Sequence, residues 1–136
     1  GDSHACALAN GDVFCWGNND NGQIGDPSAP SPALVTAVPL PAGARDIDAG
    51  GSATCAILLD RTVWCWGLSF GPSAVQVQGI TQAAAISTGS DSSCVVRTDQ
   101  SAVCFGDNRF GQLGNPAAVD TSDDQELLGP VVVRAP

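Results

Sequence analysis

The chain has no tyrosine, no methionine and no lysine; its five cations are all arginines, set against fourteen acids for a formal charge of −9. So acidic a surface repels phosphate backbones and anionic bilayers, which argues against nucleic-acid binding through a basic patch. The charge reads as a solubility device, with steering toward a basic partner as the alternative. No apolar run approaches the ~18 residues of a membrane-spanning helix, so no membrane span is expected. No two cysteines stand in the close C-x₂-C spacing by which one knuckle presents two thiolates to zinc, and there is one histidine. Neither an initiator methionine nor a signal peptide opens the chain, so Gly1 is expected to start a processed or excised product.

What is present is a cysteine framework. Cys6 and Cys15 close two short apolar arms around Asn10-Gly11, a dipeptide suited to the positive φ angles of a two-residue hairpin turn. Folding about that turn pairs Ala9 with Asp12, Leu8 with Val13, Ala7 with Phe14 and Cys6 with Cys15. Cα separations of roughly 4.5–5.5 Å across such a ladder lie within disulfide range. The unit returns as Cys55 to Cys65 around Leu59-Asp60-Arg61, and as Cys94 to Cys104 around Thr98-Asp99-Gln100. The extra residue in each later copy predicts a three-residue loop with the same cysteine register. Three disulfides, Cys6–Cys15, Cys55–Cys65 and Cys94–Cys104, use every cysteine and point to an oxidising compartment: extracellular, cell-surface or periplasmic.

Around the hairpins the wording also repeats. Trp16-Gly17 runs into Asn18-Asn-Asp-Asn-Gly-Gln-Ile-Gly25, and Phe105-Gly106 runs into Asp107-Asn-Arg-Phe-Gly-Gln-Leu-Gly114. The middle copy shortens this to Leu68-Ser-Phe-Gly71, which explains why first cysteines lie 49 and then 39 residues apart. Extended runs at Pro32–Val38, Ala44–Ala49, Ser73–Val77, Ala83–Thr88 and Pro130–Arg134 bring each copy to about four short strands, with 16 glycines and 9 prolines as punctuation. The last copy ends before any counterpart of Ile47 or Ile86, and the first hairpin has no preceding run. Repeats of this length with four strands predict an all-β propeller segment of about three blades, one domain over 1–136, with repeats at about 1–43, 44–82 and 83–136.

These motifs resemble the repeat of the regulator of chromosome condensation family, in particular its cysteine-bearing version in secreted or cell-surface bacterial proteins. The resemblance covers essentially the whole chain and implies a seven-bladed propeller, of which three repeats stand here. Complete propellers bury the flanks of their end blades by closing the ring, whereas three blades leave two flanks and a strand edge in water. The chain is therefore expected to be a fragment of a longer propeller, to assemble with copies of itself, or to persist as a disulfide-held arc. In an assembly the Val131-Val132-Val133 strand is expected to complete a neighbour's first blade.

Few residues suggest chemistry. His4 stands next to Ser3 and near Asp2, yet it takes approximately the place of Thr54 and Ser93 in the other copies, and so reads as a pattern residue rather than a catalytic one. Asn18–Gly22 resembles a calcium loop, but its register puts Gly17 at the first ligand position and no acid at the twelfth, so αL-tolerant turn residues explain it better. Asp120–Glu126 reads as a solvated loop. Trp16, Trp64, Trp66, Phe14 and Phe105 flank the disulfides on the opposite strand face and are expected to pack between blades, with a sugar-binding stripe as the sharper alternative. On an open arc, Trp16, Trp64, Trp66, Phe105 and Val131, Val132 and Val133 are the expected partner contacts. The reading is a non-enzymatic extracellular interaction or structural module, part of a larger propeller, envelope complex or filament. It has a protein partner or copies of itself, and no metal or cofactor. The resemblance adds a secreted enzyme inhibitor as the alternative and a guanine-nucleotide exchange factor as a poorer one.

Overall fold

In a computed structural model, residues 1–114 and the backbone of 128–133 are described. Among them every regular element is a strand: β1 (His4–Ala9), β2 (Asp12–Gly17), β3 (Ala33–Ala37), β4 (Ala44–Gly50), β5 (Ala53–Leu58), β6 (Val63–Gly67), β7 (Gly71–Gln76), β8 (Ala83–Thr88), β9 (Ser92–Arg97), β10 (Ala102–Gly106) and β11 (Leu128–Val133). They form three antiparallel sheets, in the orders β1-β2-β3, β4-β5-β6-β7 and β8-β9-β10-β11.

Each sheet is built on its hairpin. In the first, Cys6 faces Cys15, Ala7 faces Phe14 and Ala9 faces Asp12, while Asn10 and Gly11 take φ of 53° and 89°. In the other two, three-residue loops place Arg61 (φ 66°) and Gln100 (φ 69°) in the left-handed region. Asp60 and Asp99 brace those loops by accepting from the main-chain N–H and hydroxyl of Thr62 and Ser101. The strand after the hairpin bulges at the same place in all three sheets, opposite Cys15/Gly17, Cys65/Gly67 and Cys104/Gly106. The glycine there is required. At Gly67, φ is 96° and an added Cβ would meet the Ser52 carbonyl at 2.3 Å.

The sheets stand face to face as blades. β4 lies against β1 on one side and β8 on the other, which marks the inner end of each blade. One core cluster joins the first two blades through Val13, Cys15, Ile24, Val38, Leu58 and Trp66. A second joins the last two through Cys55, Ile57, Val63, Val95, Val103 and Phe105.

The strand arrangement corrects one expectation. β11 pairs with β10 as the outer strand of its own sheet, with Cys104 opposite Val131 and Ala102 opposite Val133. It is thus engaged at home, as β3 and β7 are, and is not a loose end awaiting a neighbour's blade. Among the described residues the first sheet has three strands where the other two have four, with β1 at its inner edge. The acidic run 120–126 lies outside the described residues.

Candidate functional site at the blade joints

Strand alternation gives each blade two different faces. Cysteines point to one, and the residue after the second cysteine points to the other. All three disulfides are formed, each with a Cα–Cα distance of 4.1 Å. Each of the first two disulfides looks toward the following blade, where a hydroxyl meets it: Cys6 Sγ is 3.7 Å from Thr54 Oγ1, and Cys55 Sγ is 3.9 Å from Ser93 Oγ. The aromatic ring looks back toward the preceding blade.

In the first joint that ring is Trp66, fully buried. Its indole N–H donates to the Gln23 carbonyl at 3.0 Å. The receiving loop owes its shape to Asn18, Asn19 and Gln23. Asn19 Oδ1 accepts from the Ile24 N–H, Asn19 Nδ2 donates to the Ala29 carbonyl, Gln23 Oε1 accepts from the Asn21 N–H, and Gln23 Nε2 donates to Asn18 Oδ1. Gly25 closes the turn at φ 80°, and a Cβ there would sit 2.9 Å from the Trp66 nitrogen. The loop after the third hairpin repeats the scheme: Leu113 N–H to Asn108 Oδ1, Phe110 N–H to Gln112 Oε1, and Gln112 Nε2 to Asp107 Oδ2. In the second joint, where the loop is shortened, Phe70 supplies an apolar ring edge-on to Phe105, centroids 6.3 Å apart.

His4 belongs to the first joint. Its Nε2 lies 2.7 Å from Thr54 Oγ1, which in turn lies 3.3 Å from the Gln23 carbonyl. If Thr54 donates onward, His4 donates through Nε2, and its buried Nδ1 keeps a lone pair with no partner. Burial, followed by the charge of the α-ammonium, lowers the His4 pKa, with Asp2 opposing. The ring is held neutral inside a joint. The register also corrects its place in the repeat. His4 pairs with Gly17 as Ala53 pairs with Gly67 and Ser92 with Gly106, so Ala5, not His4, is the counterpart of Thr54 and Ser93.

The remaining sequence candidates fall as follows. In the calcium-like loop, Asn18 Oδ1 accepts from Gln23 and from the Asp20 N–H, and Asp20 Oδ2 accepts from Asn18. The asparagines there work through their side chains; the positive φ angles are at Gly22 and Gly25. Among the described residues no three His, Cys, Asp or Glu side chains converge as a metal site. Hydrogen bonds from Ser28, Thr62 and Ser101 hold the carboxyls of Asp26, Asp60 and Asp99 below the usual range. Trp66 and Phe105 lie inside joints and Trp64 is half-buried, its N–H donating to Thr62 Oγ1; Trp16, 36% exposed, reaches solvent. Of Val131, Val132 and Val133 only the strand pairing is described. Sequence reasoning missed the joint hydroxyls, although Thr54 and Ser93 each directly precede a first cysteine.

The family profile of the regulator of chromosome condensation (RCC1) repeat matches residues 1–23, 44–70 and 83–112. The human probable E3 ubiquitin-protein ligase HERC6 is 33% identical over 158 residues, covering 98% of this chain and 14% of HERC6. The chain therefore spans about a seventh of that curated relative's length. Yeast RCC1 (Prp20), crystallised with Kap60, superposes with a TM-score of 0.77 at 16% identity, over 98% of this chain and 35% of that one. The ectodomain of the receptor kinase CR4 from Physcomitrella patens is 28% identical with a TM-score of 0.54, over 78% of this chain and 27% of that one.

Proposed function

The chain belongs to the regulator of chromosome condensation repeat family, and on that premise we propose that it is a non-enzymatic protein-binding propeller module of an extracellular, cell-surface or periplasmic compartment. The observation that carries the reading is the contrast between its titratable groups and its flank. His4 is enclosed and neutral, the shifted aspartates brace turns, and the cysteines are paired. By contrast the first blade leaves Trp16 and Ala7 exposed beside half-buried Phe14. Rings of this kind, exposed beside small apolar side chains, are what protein interfaces use as anchors. Three hairpin disulfides support the oxidising compartment. So does the likeness to a receptor-kinase ectodomain. A propeller of the same fold is held by Kap60 in yeast, which supports a protein as the class of partner.

The test is made in the cells that produce the protein. Thiol alkylation before and after reduction is expected to label the six cysteines only after reduction. A photo-reactive phenylalanine derivative at position 16 is expected to give a discrete protein adduct, and the same group at exposed Asp60 none. Free thiols in unreduced cells overturn the compartment, and an absence of adducts from position 16 overturns the interaction role.

A further inference from the structure

We propose that a main-chain ring at the hairpin-turn end of the first blade is a docking site for a partner protein, which inserts one aliphatic side chain there and sets the cation of an adjacent arginine or lysine against Asp12. The inference rests on the protein-binding reading above and names a site and its occupant.

The chain closes the same ring twice, where an outer strand leaves its sheet for the next blade. In the first blade the Val38 N–H donates to the Val13 carbonyl and the Ala44 N–H to the Gly11 carbonyl. In the second the Val77 N–H donates to the Val63 carbonyl and the Ala83 N–H to the Arg61 carbonyl. Each ring thus joins a hairpin arm, 11–13 or 61–63, to a connection of equal length, 38–44 or 77–83.

The second ring is plugged by its own sequence. Ile80 turns inward, 1% exposed, onto the core that holds Val63, and the Arg61 guanidinium reaches the Ala83 carbonyl at 3.4 Å. The first ring has neither group. Pro41 stands in the place of Ile80 and is exposed, and Gly11 stands in the place of Arg61 with no side chain. The backbone gives the reason. Gln82 takes φ 59°, whereas its counterpart Gly43 lies outside the left-handed region, and Pro39 and Pro41 hold their own φ near about −65°.

What remains in the first ring is a cavity of about 250 Å³, lined by Val13, Val38, Leu40 and Ala42 with the exposed Asp12 beside them. That exceeds the roughly 150 Å³ that admits benzene to an engineered protein core. Buried Val13 and Val38 suit it to an aliphatic group, and Ile80 shows the kind of group such a ring holds. Among the described residues Asp12 has no cationic partner, and its counterpart in the plugged ring is the neutral Thr62. A carboxylate beside an apolar seat favours a cation next to the inserted side chain, and a net charge of −9 draws basic partners.

An NMR titration of the oxidised chain with the acetylated dipeptide amide of isoleucine and arginine tests this. Saturable shifts are expected at the Gly11, Asp12 and Gly43 amides, half-complete at or below ~10 mM. The isoleucine–glutamate and serine–arginine dipeptides are each expected to bind at least fivefold more weakly. Asp12→Asn is expected to erase the preference for arginine over glutamate while the isoleucine response persists. Grafting the sequence of 78–82 in place of 39–43 brings in the plug, and is expected to abolish binding while far-UV circular dichroism stays that of wild type. Asp12→Asn decides alone if the graft does not fold. A wild-type ring that stays silent to ~50 mM dipeptide overturns the proposal. So does an arginine preference unchanged in Asp12→Asn, or a folded graft that binds as wild type does. Adducts from position 16 beside a silent ring remove this site and leave the protein-binding reading standing.

Discussion

Trp16 and Trp66 have the same neighbours in sequence and opposite fates. Trp66 is buried with its N–H bonded to Gln23, so Trp66→Ala is expected to cost about 3–5 kcal/mol from the cavity and the lost bond together. Trp16→Ala is expected to cost about 1 kcal/mol or less in the monomer. Urea denaturation of both variants at low concentration checks the contrast, and equal losses would contradict the joint assignment. His4 makes a prediction of the other kind. Its folded pKa lies below the ordinary 6.5, so the unfolded chain takes up the proton first as pH falls. The neutral-His4 contribution is complete above pH 6.5 and is lost as pH drops through the folded value. Stability is expected to decline from pH 7.5 to 5, and His4→Gln to remove that part of the slope; an unchanged slope would show that another group carries it. The identity of these residues was legible beforehand. Which tryptophan was buried was not, because that depends on whether a blade stands in front of it.

The hairpin is the element that repeats, and its loops carry a small strain. Gln100 is an exposed residue at φ 69°, a conformation that glycine adopts without a Cβ penalty. Gln100→Gly is expected to stabilise the chain by about 0.5–1 kcal/mol, read as a shift in melting temperature, and a loss would place an unseen role on the side chain. Arg61 is the poorer site for the same change, since its guanidinium reaches the Ala83 carbonyl at 3.4 Å. Cysteine register, turn positions and loop lengths all followed from the spacing. Local chemistry sufficed, since a two- or three-residue loop between paired cysteines leaves little choice of pairing. The place of β11 did not follow in the same way, because a strand reached through a long connection has no such constraint.

As a whole the molecule is a short stack in which the middle blade is covered on both faces. β5 is buried along its full length, whereas β1 and β2 carry exposed positions. In a stack stabilised by nearest-neighbour joints the ends open first. Hydrogen exchange is expected to be slowest in β5 and β6, and equal or slower exchange in β1 and β2 would show that the first blade does not depend on its single joint.

The sequence by itself determined the repeat, the three hairpin disulfides, the all-β propeller class and the family. Each is written in local spacing: paired cysteines around a short turn, an aromatic and a glycine after the second cysteine, and an asparagine–glycine loop behind them. Only the tertiary structure decided that His4 lies between blades bonded to Thr54, that Phe70 substitutes for the shortened loop, that β11 belongs to its own sheet, and that Trp16 alone of the joint rings faces water. The reason is one of range. A strand's two faces can be told apart from the order of its residues, but what covers each face is set by a blade some 40–50 residues away.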